Sequence, residues 1–408
     1  MSSSGFSLLA LSLIFVTAFA FIPILPNPPA TPASSYQLAY DYSGANFINN
    51  FQFYHDKDPT NGLVEYVDLT TANATGLAGF LKVLDTNLTA NATGPIFLGV
   101  DYTTNLASTP TAGRKSVRAY SVQKFNQSLI IADILHMPAP VCGTWPAFWM
   151  LGTGATWPDA GEVDILEGVN DNAINHYTLH TKPGMITANY SGTSMTGQLG
   201  TGNCDVAAQG QDRNVGCSIT DAPDVKSYGD AFNDNNGGVF ATLIDPFGVR
   251  IWFFERGKIP VDITAGNPLP PPRADAMSTT NVHPNMTNAP PAGASFANST
   301  WGIPNARFDS PANAQDVMKT HFRDMQIVIN TAFCGDWAGN VWNSSATCKA
   351  LAPTCEQYVN EHPEAFEDVY WAINGIKVYQ PVKSDRTIPF PPGPPGTGSY
   401  NRKRTELK

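Results

Sequence analysis

Charged side chains are scarce in this chain of 408 residues: they make up only 14% of it, and the formal net charge is −10. Proteins that bind nucleic acid carry clustered Lys and Arg, so this charge balance and the 33 prolines exclude a generic nucleic-acid-binding protein. The sequence also has no internal repeat, no array of amphipathic helices and no phosphate-binding loop. What remains is a series of short strand patterns and dense turns, which predicts an all-β fold.

Cysteine pairs with the C-x-x-C spacing are also missing, which argues against a zinc site. We expect neither a metal nor a cofactor. The six cysteines are an even number, as is typical of disulfides formed in an oxidising compartment, and they lie at positions 142, 204, 217, 334, 348 and 355. Many pairings are open from sequence alone. We prefer Cys204 with Cys217, because this pair would close a local loop rich in Gly, Asn and Asp.

Sequons for N-glycosylation also indicate secretion, because this modification takes place on secreted chains. Eight sequons are present, so we expect glycosylation at some of them. They begin at Asn73, Asn87, Asn91, Asn126, Asn189, Asn285, Asn298 and Asn343.

The N-terminal segment lacks Lys and Arg, although residues 6–26 are nearly all apolar. The sequence Ala18-Phe19-Ala20 offers a cleavage site, so we predict that residues 1–20 are a signal peptide and that the protein is extracellular or in the cell wall. The alternative is an uncleaved membrane anchor, since the apolar run approaches the length of a spanning helix. Pro23 and Pro26 interrupt the run and favour cleavage.

No linker divides the rest of the chain, so we predict one folded domain at residues 36–380. The stretch 268–291, rich in Pro, Asn and Ala, is expected to be a long surface loop. Residues 381–408 contain the segment PFPPGPP and a small basic cluster, and they are predicted to be a disordered tail.

The most informative segment is residues 161–168, GEVDILEG, which places three carboxylates in apolar surroundings. On a helix, Glu162 and Glu167 would point about 140° apart and could not cooperate. On a strand, Glu162 and Asp164 share one face. One extra residue, a β-bulge at Ile165 or Leu166, brings Glu167 onto that face as well. The β-branched residues and the flanking glycines favour this bulged strand.

The bulged strand predicts a chemical role for these groups. Glu162 and Glu167 would have Cα atoms about 13 Å apart, and carboxyl groups that lean inward to leave about 5 Å between them. That separation is typical of a glycoside hydrolase that retains anomeric configuration. With Asp164 between them, at least one group should hold a proton near neutral pH. The alternative is the solvated face of an edge strand, which an isolated E-x-D-x-x-E pattern favours.

Tryptophans near this strand favour the catalytic interpretation. Three of the eight lie within the twenty residues before the carboxylates, and aromatic faces stack on sugar rings. Trp157, in an expected loop, is predicted to be a sugar platform. Trp145 and Trp149 lie in an apolar run and could instead belong to the core, and for Trp145 and Phe148 the two interpretations are evenly balanced.

Residues 176–180, HYTLH, alternate as the next strand would. Antiparallel pairing would place His176, Thr178 and His180 opposite the carboxylates. A lone histidine is usually only a satisfied polar residue, but beside such a cluster it is a candidate acid/base or substrate partner.

These motifs resemble glycoside hydrolase family 16 and, more narrowly, the fungal secreted endo-β-1,3(4)-glucanases, or laminarinases. The resemblance is carried by residues 143–149 (GTWPAFW) and 161–167, and it extends from about Tyr36 to Tyr379. Further matching segments are 58–62 (DPTNG), 113–118 (GRKSVR), 252–257 (WFFERG) and 333–339 (FCGDWAG). The resemblance implies a β-jelly-roll sandwich of the concanavalin A-like type, with a concave substrate cleft.

The resemblance also implies a role for each site residue. Glu162 would be the nucleophile, Asp164 its hydrogen-bonded helper and Glu167 the acid/base. The residues expected to bind substrate are Trp145, Trp149, Trp157 and His180. The expected partner is a β-glucan, the expected state is a monomer, and a membrane is involved only if the N-terminal segment stays uncleaved.

One segment departs from the family pattern. Where a Glu-Trp pair is expected in the strand before Trp252, this chain has FATLID at residues 240–245. Leu243 and Ile244 thus replace a polar and an aromatic group, which predicts an altered sugar subsite and an altered linkage preference.

Three functions are compatible with these observations. The first is a retaining endo-glucanase acting on β-1,3 or mixed β-1,3(4)-glucans, and the second is a transglycosylase that remodels the cell wall on the same fold. Both form a glycosyl-enzyme intermediate and differ only in whether water or a sugar hydroxyl attacks it. The third is a non-catalytic glucan-binding protein, against which the intact carboxylate trio argues.

Overall fold

The structure is a computed structural model that describes residues 36–81, 94–192, 194–271, 300–310 and 314–382. The chain divides into a unit of residues 1–33, all outside these ranges, and a unit of residues 34–408. The predicted signal peptide, nearly all of the predicted tail and most of the predicted 268–291 loop therefore lie outside the described residues.

Two antiparallel sheets of eight strands each form the described part of the protein. The front sheet contains β2 (Phe51–Phe53), β7 (Arg118–Ser121), β9 (Thr144–Gly152), β10 (Glu162–Glu167), β11 (His176–His180), β12 (Gln198–Thr201), β13 (Cys217–Thr220) and β17 (Met325–Phe333). The back sheet contains β1 (Tyr36–Ser43), β4 (Ala78–Phe80), β5 (Ile96–Gly99), β8 (Ser128–His136), β14 (Gly238–Asp245), β15 (Gly248–Glu255), β16 (Ala306–Asp309) and β18 (Tyr370–Pro381). The predicted all-β sandwich is confirmed.

The order of strands across the front sheet is β12-β13-β11-β10-β9-β17-β7-β2, which puts β10 near its middle. Across the back sheet the order is β16-β15-β14-β8-β18-β5-β4, and β1 pairs with β18. A small parallel pair joins β3 (Val64–Tyr66) to β6 (Arg114–Ser116).

Helices are short in the described ranges. They are α1 (Ala45–Asn50), α2 (Leu69–Ala74), α3 (Gly229–Asp234), α4 (Val261–Thr264), α5 (Ala314–His321), α6 (Gly335–Ala338), α7 (Cys348–Leu351) and α8 (Cys355–Glu361). Single 3₁₀ turns cover Arg256–Lys258, Trp342–Ser344 and Pro363–Phe366. Within the described ranges, no helix is long and apolar enough to span a membrane.

The main core lies between the two sheets, because strands of the front sheet alternate apolar and polar side chains. Phe148 and Met150 of β9 point into this core, as do Val163 of β10 and Phe240 of β14. Each large apolar side chain buried in this way stabilises the fold by about 1.5–3 kcal/mol. The opposite face of the front sheet carries polar side chains together with Trp145 and Trp149.

The back sheet is apolar on both faces, since its outer face is covered as well. β14 is buried from Gly238 to Ile244, and its outward side chains join a second cluster. That cluster includes Trp252 and Trp301, with Ile259 packed against it. Apolar runs in these strands thus reflect burial on two sides.

The location of β14 corrects one sequence-based prediction. Leu243 and Ile244 are both buried in the back sheet, Leu243 in the outer cluster and Ile244 in the main core. Neither side chain lies on the outer face of the front sheet. The prediction that they alter a sugar subsite there is therefore wrong.

Three disulfides link all six cysteines. The predicted Cys204–Cys217 pair is confirmed, and closing a loop of this length contributes about 3 kcal/mol in the chain-entropy model. Cys142–Cys348 joins residues 206 positions apart, whereas Cys334 and Cys355 are 21 positions apart. Together they hold the segment that follows β17 against the start of β9.

Sequon positions in the described ranges are accessible. Asn73, Asn126, Asn189 and Asn343 are exposed, as glycosylation requires. The other four, Asn87, Asn91, Asn285 and Asn298, lie outside the described residues. Glycosylation itself stays a prediction.

Candidate active site

A β-bulge in β10 brings the carboxylates onto one face. Asp164 lies opposite Trp149 of β9, and Leu166 lies opposite Phe148, so Ile165 is the extra residue. The bulge predicted at Ile165 or Leu166 is confirmed at Ile165. The apolar residues of β10 are buried in the main core, while all three carboxylates fall on the outer face of the front sheet, opposite Leu151, Trp149 and Ala147.

On its other side, β10 pairs with β11, as the alternating HYTLH pattern predicts. Glu162 lies opposite His180, and Asp164 lies opposite Thr178. The Nε2 atom of His180 is 3.3 Å from Asp164 Oδ2 and 3.9 Å from Glu162 Oε1. A protonated imidazole at this point favours the ionised form of both carboxyl groups.

Two tryptophan indoles orient the glutamates. Trp157 Nε1 donates to Glu162 Oε2 at 3.0 Å, and Trp145 Nε1 donates to Glu167 Oε1 at 2.8 Å. Each bond uses one carboxylate oxygen of its glutamate and leaves the other for a further contact. The side chains are therefore held in place before any ligand arrives.

Electrostatics of the trio favour proton retention. Burial, followed by the negative charge of Asp164, raises the pKa of Glu162 to about 8 and that of Glu167 to about 8. Burial raises the pKa of Asp164 well above its usual range. This agrees with the expectation that at least one carboxyl group holds a proton near neutral pH. Because the two glutamates are shifted alike, the shift does not tell the nucleophile from the acid.

The same pKa shifts predict how stability depends on pH. Because the folded protein holds these protons more tightly than the unfolded chain, the glutamates stabilise the fold below about pH 4.5, and that contribution is lost as the pH rises toward 8. Glu167→Gln should therefore raise the free energy of unfolding by about 1–3 kcal/mol at about pH 9, and by less at about pH 5. Urea denaturation at both pH values would measure this difference. Glu65→Gln, at an exposed position, is the control. If the free energy of unfolding depended on pH equally in the wild type and in Glu167→Gln, the prediction would be contradicted.

The predicted aromatic residues separate into site and core. Trp157 is 42% exposed, beside His180 at a ring distance of 6.1 Å, as expected for a platform. Trp145 and Trp149 are half-buried on the outer face of the front sheet, whereas Phe148 is buried in the main core. Phe148 therefore belongs to the core, whereas Trp145 lies outside it, on the face of the carboxylates. That Trp145 binds a sugar stays a prediction.

The structure adds Trp337, which was not predicted as a site residue. Its ring meets Trp145 at 5.7 Å and His176 at 5.8 Å, both edge to face. Trp337 lies in α6, and this helix begins immediately after Cys334. The Cys334–Cys355 disulfide therefore holds Trp337 near the site. The FCGDWAG motif contributes to the family resemblance, but nothing in its local spacing relates Trp337 to Trp145, almost 200 positions earlier.

The structure also shows a second group of residues that the sequence did not predict, and this group surrounds Trp149. Arg118 of β7 lies over the rings of both Trp149 and Tyr54, at 5.1 Å from each centroid. Trp149 Nε1 donates to Asn330 Oδ1 at 2.7 Å, and Asn330 Nδ2 donates to the Tyr66 hydroxyl at 3.2 Å. These contacts hold Trp149 rigidly on the outer face, which suits a stacking surface.

Glu162, Asp164 and His180 are also the residues that could hold a metal. Each offers a ligand atom within 4.8 Å of the others, and in the described part of the chain they are the one such group of three. A cation there would favour the ionised form of both carboxyl groups. That the protein uses no metal stays a prediction.

Comparison with known proteins places these features in one family. The model of the XgeA-like catalytic GH16 domain matches residues 51–379. An endo-1,3(4)-β-glucanase of Arthroderma benhamiae is 39% identical over 348 residues, which cover 85% of this chain and 65% of that protein. The chain spans between 40% and 48% of the length of three Aspergillus relatives named as probable endo-1,3(4)-β-glucanases.

Two solved structures are similar over their whole length. The laminarinase 16A of Phanerochaete chrysosporium, with 6-O-glucosyl-laminaritriose in donor and acceptor sites, is 36% identical with a TM-score of 0.66. The match covers 85% of this chain and 99% of that one. An elongating family 16 β-1,3-glucosyltransferase is 34% identical with a TM-score of 0.66, covering 85% of this chain and all of that one.

Proposed function

Because this chain belongs to glycoside hydrolase family 16, we propose that it hydrolyses internal bonds of β-1,3- and mixed β-1,3(4)-glucans with retention of anomeric configuration. The observation that carries the proposal is the bulge at Ile165, which puts three carboxylates on one face of an aromatic-lined sheet. Relatives and structural neighbours named as glucanases and laminarinases support the substrate class.

In the first step, Glu162 attacks the anomeric carbon while Glu167 gives its proton to the departing glycosidic oxygen. One carbon–oxygen bond forms, one breaks, and the leaving sugar chain departs as a neutral alcohol. Burial keeps a proton on the trio near neutral pH, so a proton donor is available without acid conditions. The choice of Glu162 as nucleophile rests on its position in the family motif.

In the second step, Glu167, now ionised, takes a proton from water, and the water oxygen displaces Glu162 from the sugar. Two inversions at the anomeric carbon give net retention. Asp164 lies between the glutamates, 3.3 Å from His180 Nε2, where it affects the charge on both. We assign it the role of helper to Glu162, with His180 Nε2 within 4 Å of both carboxyl groups.

Aromatic side chains of the outer face would form the sugar subsites. Trp157 is the most exposed of them and donates to the proposed nucleophile, so it belongs next to the bond that is cleaved. Trp149 extends the surface toward Arg118 on one side, and Trp145 extends it toward Trp337 on the other. Aromatic groups along β9 beside all three carboxylates offer more than one sugar subsite, which fits cleavage within a polysaccharide.

The test is incubation with laminarin, lichenan, carboxymethylcellulose and agarose, followed by sizing of the products. We expect oligosaccharides of mixed length from laminarin and lichenan, and none from the other two. Release of glucose alone would contradict endo action. Cleavage of agarose or carboxymethylcellulose in preference to laminarin would contradict the substrate class.

A second candidate, transglycosylation, is favoured by the similarity to the elongating β-1,3-glucosyltransferase. The same intermediate would be attacked by a sugar hydroxyl in place of water. A labelled oligosaccharide acceptor distinguishes the two, because a transferase makes labelled products longer than the acceptor. Non-catalytic glucan binding is disfavoured, since binding alone does not require three clustered carboxyl groups.

Secretion and a monomeric state complete the proposal. Three disulfides and accessible sequons support passage through an oxidising compartment. Mass spectrometry of protein from the culture medium would show the N-terminus and the glycans. Light scattering would give the oligomeric state.

A further inference from the structure

The backbone of β10 loses a neighbour at the point where the bulge begins. The ladder with β11 joins Glu162 to His180 and ends with Asp164 opposite Thr178. Beyond it, Ile165 C=O and Glu167 N–H point toward the same side with no strand backbone to meet them. Buried peptide groups without partners are strongly destabilising, so something must replace the missing strand.

The side chain of Asn175 takes the place of that strand. Its Nδ2 donates to Ile165 O at 2.9 Å, and its Oδ1 accepts from Glu167 N at 2.9 Å. Asn175 is completely buried. One residue of a parallel strand makes the same pair of bonds, donating to one peptide and accepting two residues later. The amide thus spans Leu166 and closes the bulged segment.

The backbone of Asn175 is itself held by a buried hydrogen-bond network. Its own carbonyl accepts from Asp221 N at 3.2 Å, just past the end of β13. Asp221 in turn accepts from Tyr177 OH at 2.7 Å and from Asn305 Nδ2 at 2.8 Å, inside the protein. These hydrogen bonds fix the position of the Asn175 side-chain amide beside β10.

We propose that Asn175 is a positioning residue for Glu167, holding the bulge in the register that keeps this carboxyl group on the catalytic face. The proposal rests on the role of Glu167 given under the proposed function. Trp145 holds the carboxyl end of Glu167, and Asn175 holds its backbone end. Without the amide, β10 can shift by one residue after Asp164, and such a slip exchanges the two faces of a strand.

The test compares Asn175→Ala with Asn170→Ala as the matched control. Asn170 is also buried and also bridges two backbone groups, accepting from Gly143 N at 2.8 Å and donating to Ala338 O at 2.9 Å. No hydrogen bond joins it to Glu167. Both variants lose two bonds of the same kind. Asn170 also has a φ of 55°, where alanine is strained, so Asn170→Ala tests the effect of lost stability at least as severely.

The activity readout is kcat/KM on laminarin and on an aryl β-laminaribioside with a good leaving group. A misplaced acid slows laminarin cleavage most, because only that leaving group needs a proton. Asn175→Ala should lose about 10–100-fold on laminarin and less than about threefold in the release of the aryl group. Asn170→Ala should lose similar factors on both substrates. Equal ratios for the two variants would overturn the proposal.

A second readout does not need turnover. Amide hydrogen exchange at Glu167, compared with Val163 earlier in β10, should accelerate in Asn175→Ala and stay unchanged in Asn170→Ala. If neither substrate is cleaved by the wild type, the proposed function fails, while this exchange result still decides whether Asn175 fixes the Glu167 backbone. Unchanged exchange at Glu167 in Asn175→Ala would overturn the proposal.

Asn175→Asp covers the case in which the alanine variant does not fold. Aspartate is almost the same size and still accepts from Glu167 N, but its ionised form cannot donate to Ile165 O. Because burial raises the pKa of a carboxyl group at this position, its proton can still be donated to Ile165 O at neutral pH. The laminarin-to-aryl ratio, relative to the wild type at the same pH, should therefore fall toward that of Asn175→Ala as the pH rises. A ratio that stays equal to that of the wild type up to about pH 9 would show that the donor to Ile165 is not needed, contrary to the proposal.

Discussion

Replacing Glu162 with alanine should abolish hydrolysis of laminarin, with a loss of more than about 10⁴-fold in kcat, while the fold stays intact. The carboxylate that forms the covalent intermediate is gone, and no other group on the outer face can take its place at the anomeric carbon. Reducing-sugar release from laminarin measures the loss. Near-ultraviolet circular dichroism checks the fold.

Small anions give this prediction a positive control. Formate or azide can enter the space left by the Glu162 side chain and attack the anomeric carbon directly. Activity of Glu162→Ala should then rise with anion concentration, and the product should have the inverted configuration. Glu65→Gln, on the exposed side of β3, is expected to behave as wild type. Undiminished turnover by Glu162→Ala would show that Glu162 is not the nucleophile.

Glu167→Gln is expected to separate substrates by their leaving groups. Loss of the proton donor should lower kcat/KM on laminarin by about 10²–10⁴-fold. An aryl glycoside with a low-pKa phenol leaves without a proton, so formation of the glycosyl-enzyme should slow far less. Glutamine keeps the oxygen that accepts from Trp145 Nε1, so packing is preserved.

Pre-steady-state release of the phenol is the measurement for Glu167→Gln. It isolates the first step from the second, in which Glu167 acts as base. A burst of phenol followed by slow turnover would fit the acid/base role. Equal losses in the first step on both substrates would show that another group supplies the proton.

The sequence predicts the central strand because its polar period is broken in a recognisable way. Glu162 and Asp164 follow a period of two, and Glu167 returns to their face only if one residue is inserted. The structure has that residue at Ile165. The Cys204–Cys217 bond is also predictable, since its partners are close in sequence and enclose a turn-rich loop.

Contacts between distant segments were not predictable. Trp337 and Asn330 reach the site through β17 and α6, and neither spacing nor composition relates them to β9. Cys142 and Cys348 are 206 positions apart, and the sequence carries no signal for their pairing. Only the strand order of the front sheet brings these parts together.

The error about Leu243 and Ile244 has a physical cause. The family pattern suggested a sugar-binding strand, yet four of the five residues from Phe240 to Ile244 are apolar, without the alternation of a half-exposed strand. Such a run indicates burial on both faces, as β14 shows in the back sheet. Asn175 illustrates the reverse case, since one polar residue before HYTLH gave no sign that its amide would replace a strand.

The most direct test of retaining glucan hydrolysis is the anomeric configuration of the first product. Laminarin or a laminari-oligosaccharide would be digested in an NMR tube, and the anomeric proton signals followed before mutarotation. Glu162 and Glu167 share one face, and the bulged strand predicts about 5 Å between their carboxyl groups, which requires two displacements, so the β-anomer should appear first and the α-anomer later. An α-anomer at the outset would mean direct attack by water and carboxyl groups about 6.5–9.5 Å apart, contradicting the roles assigned to Glu162 and Glu167.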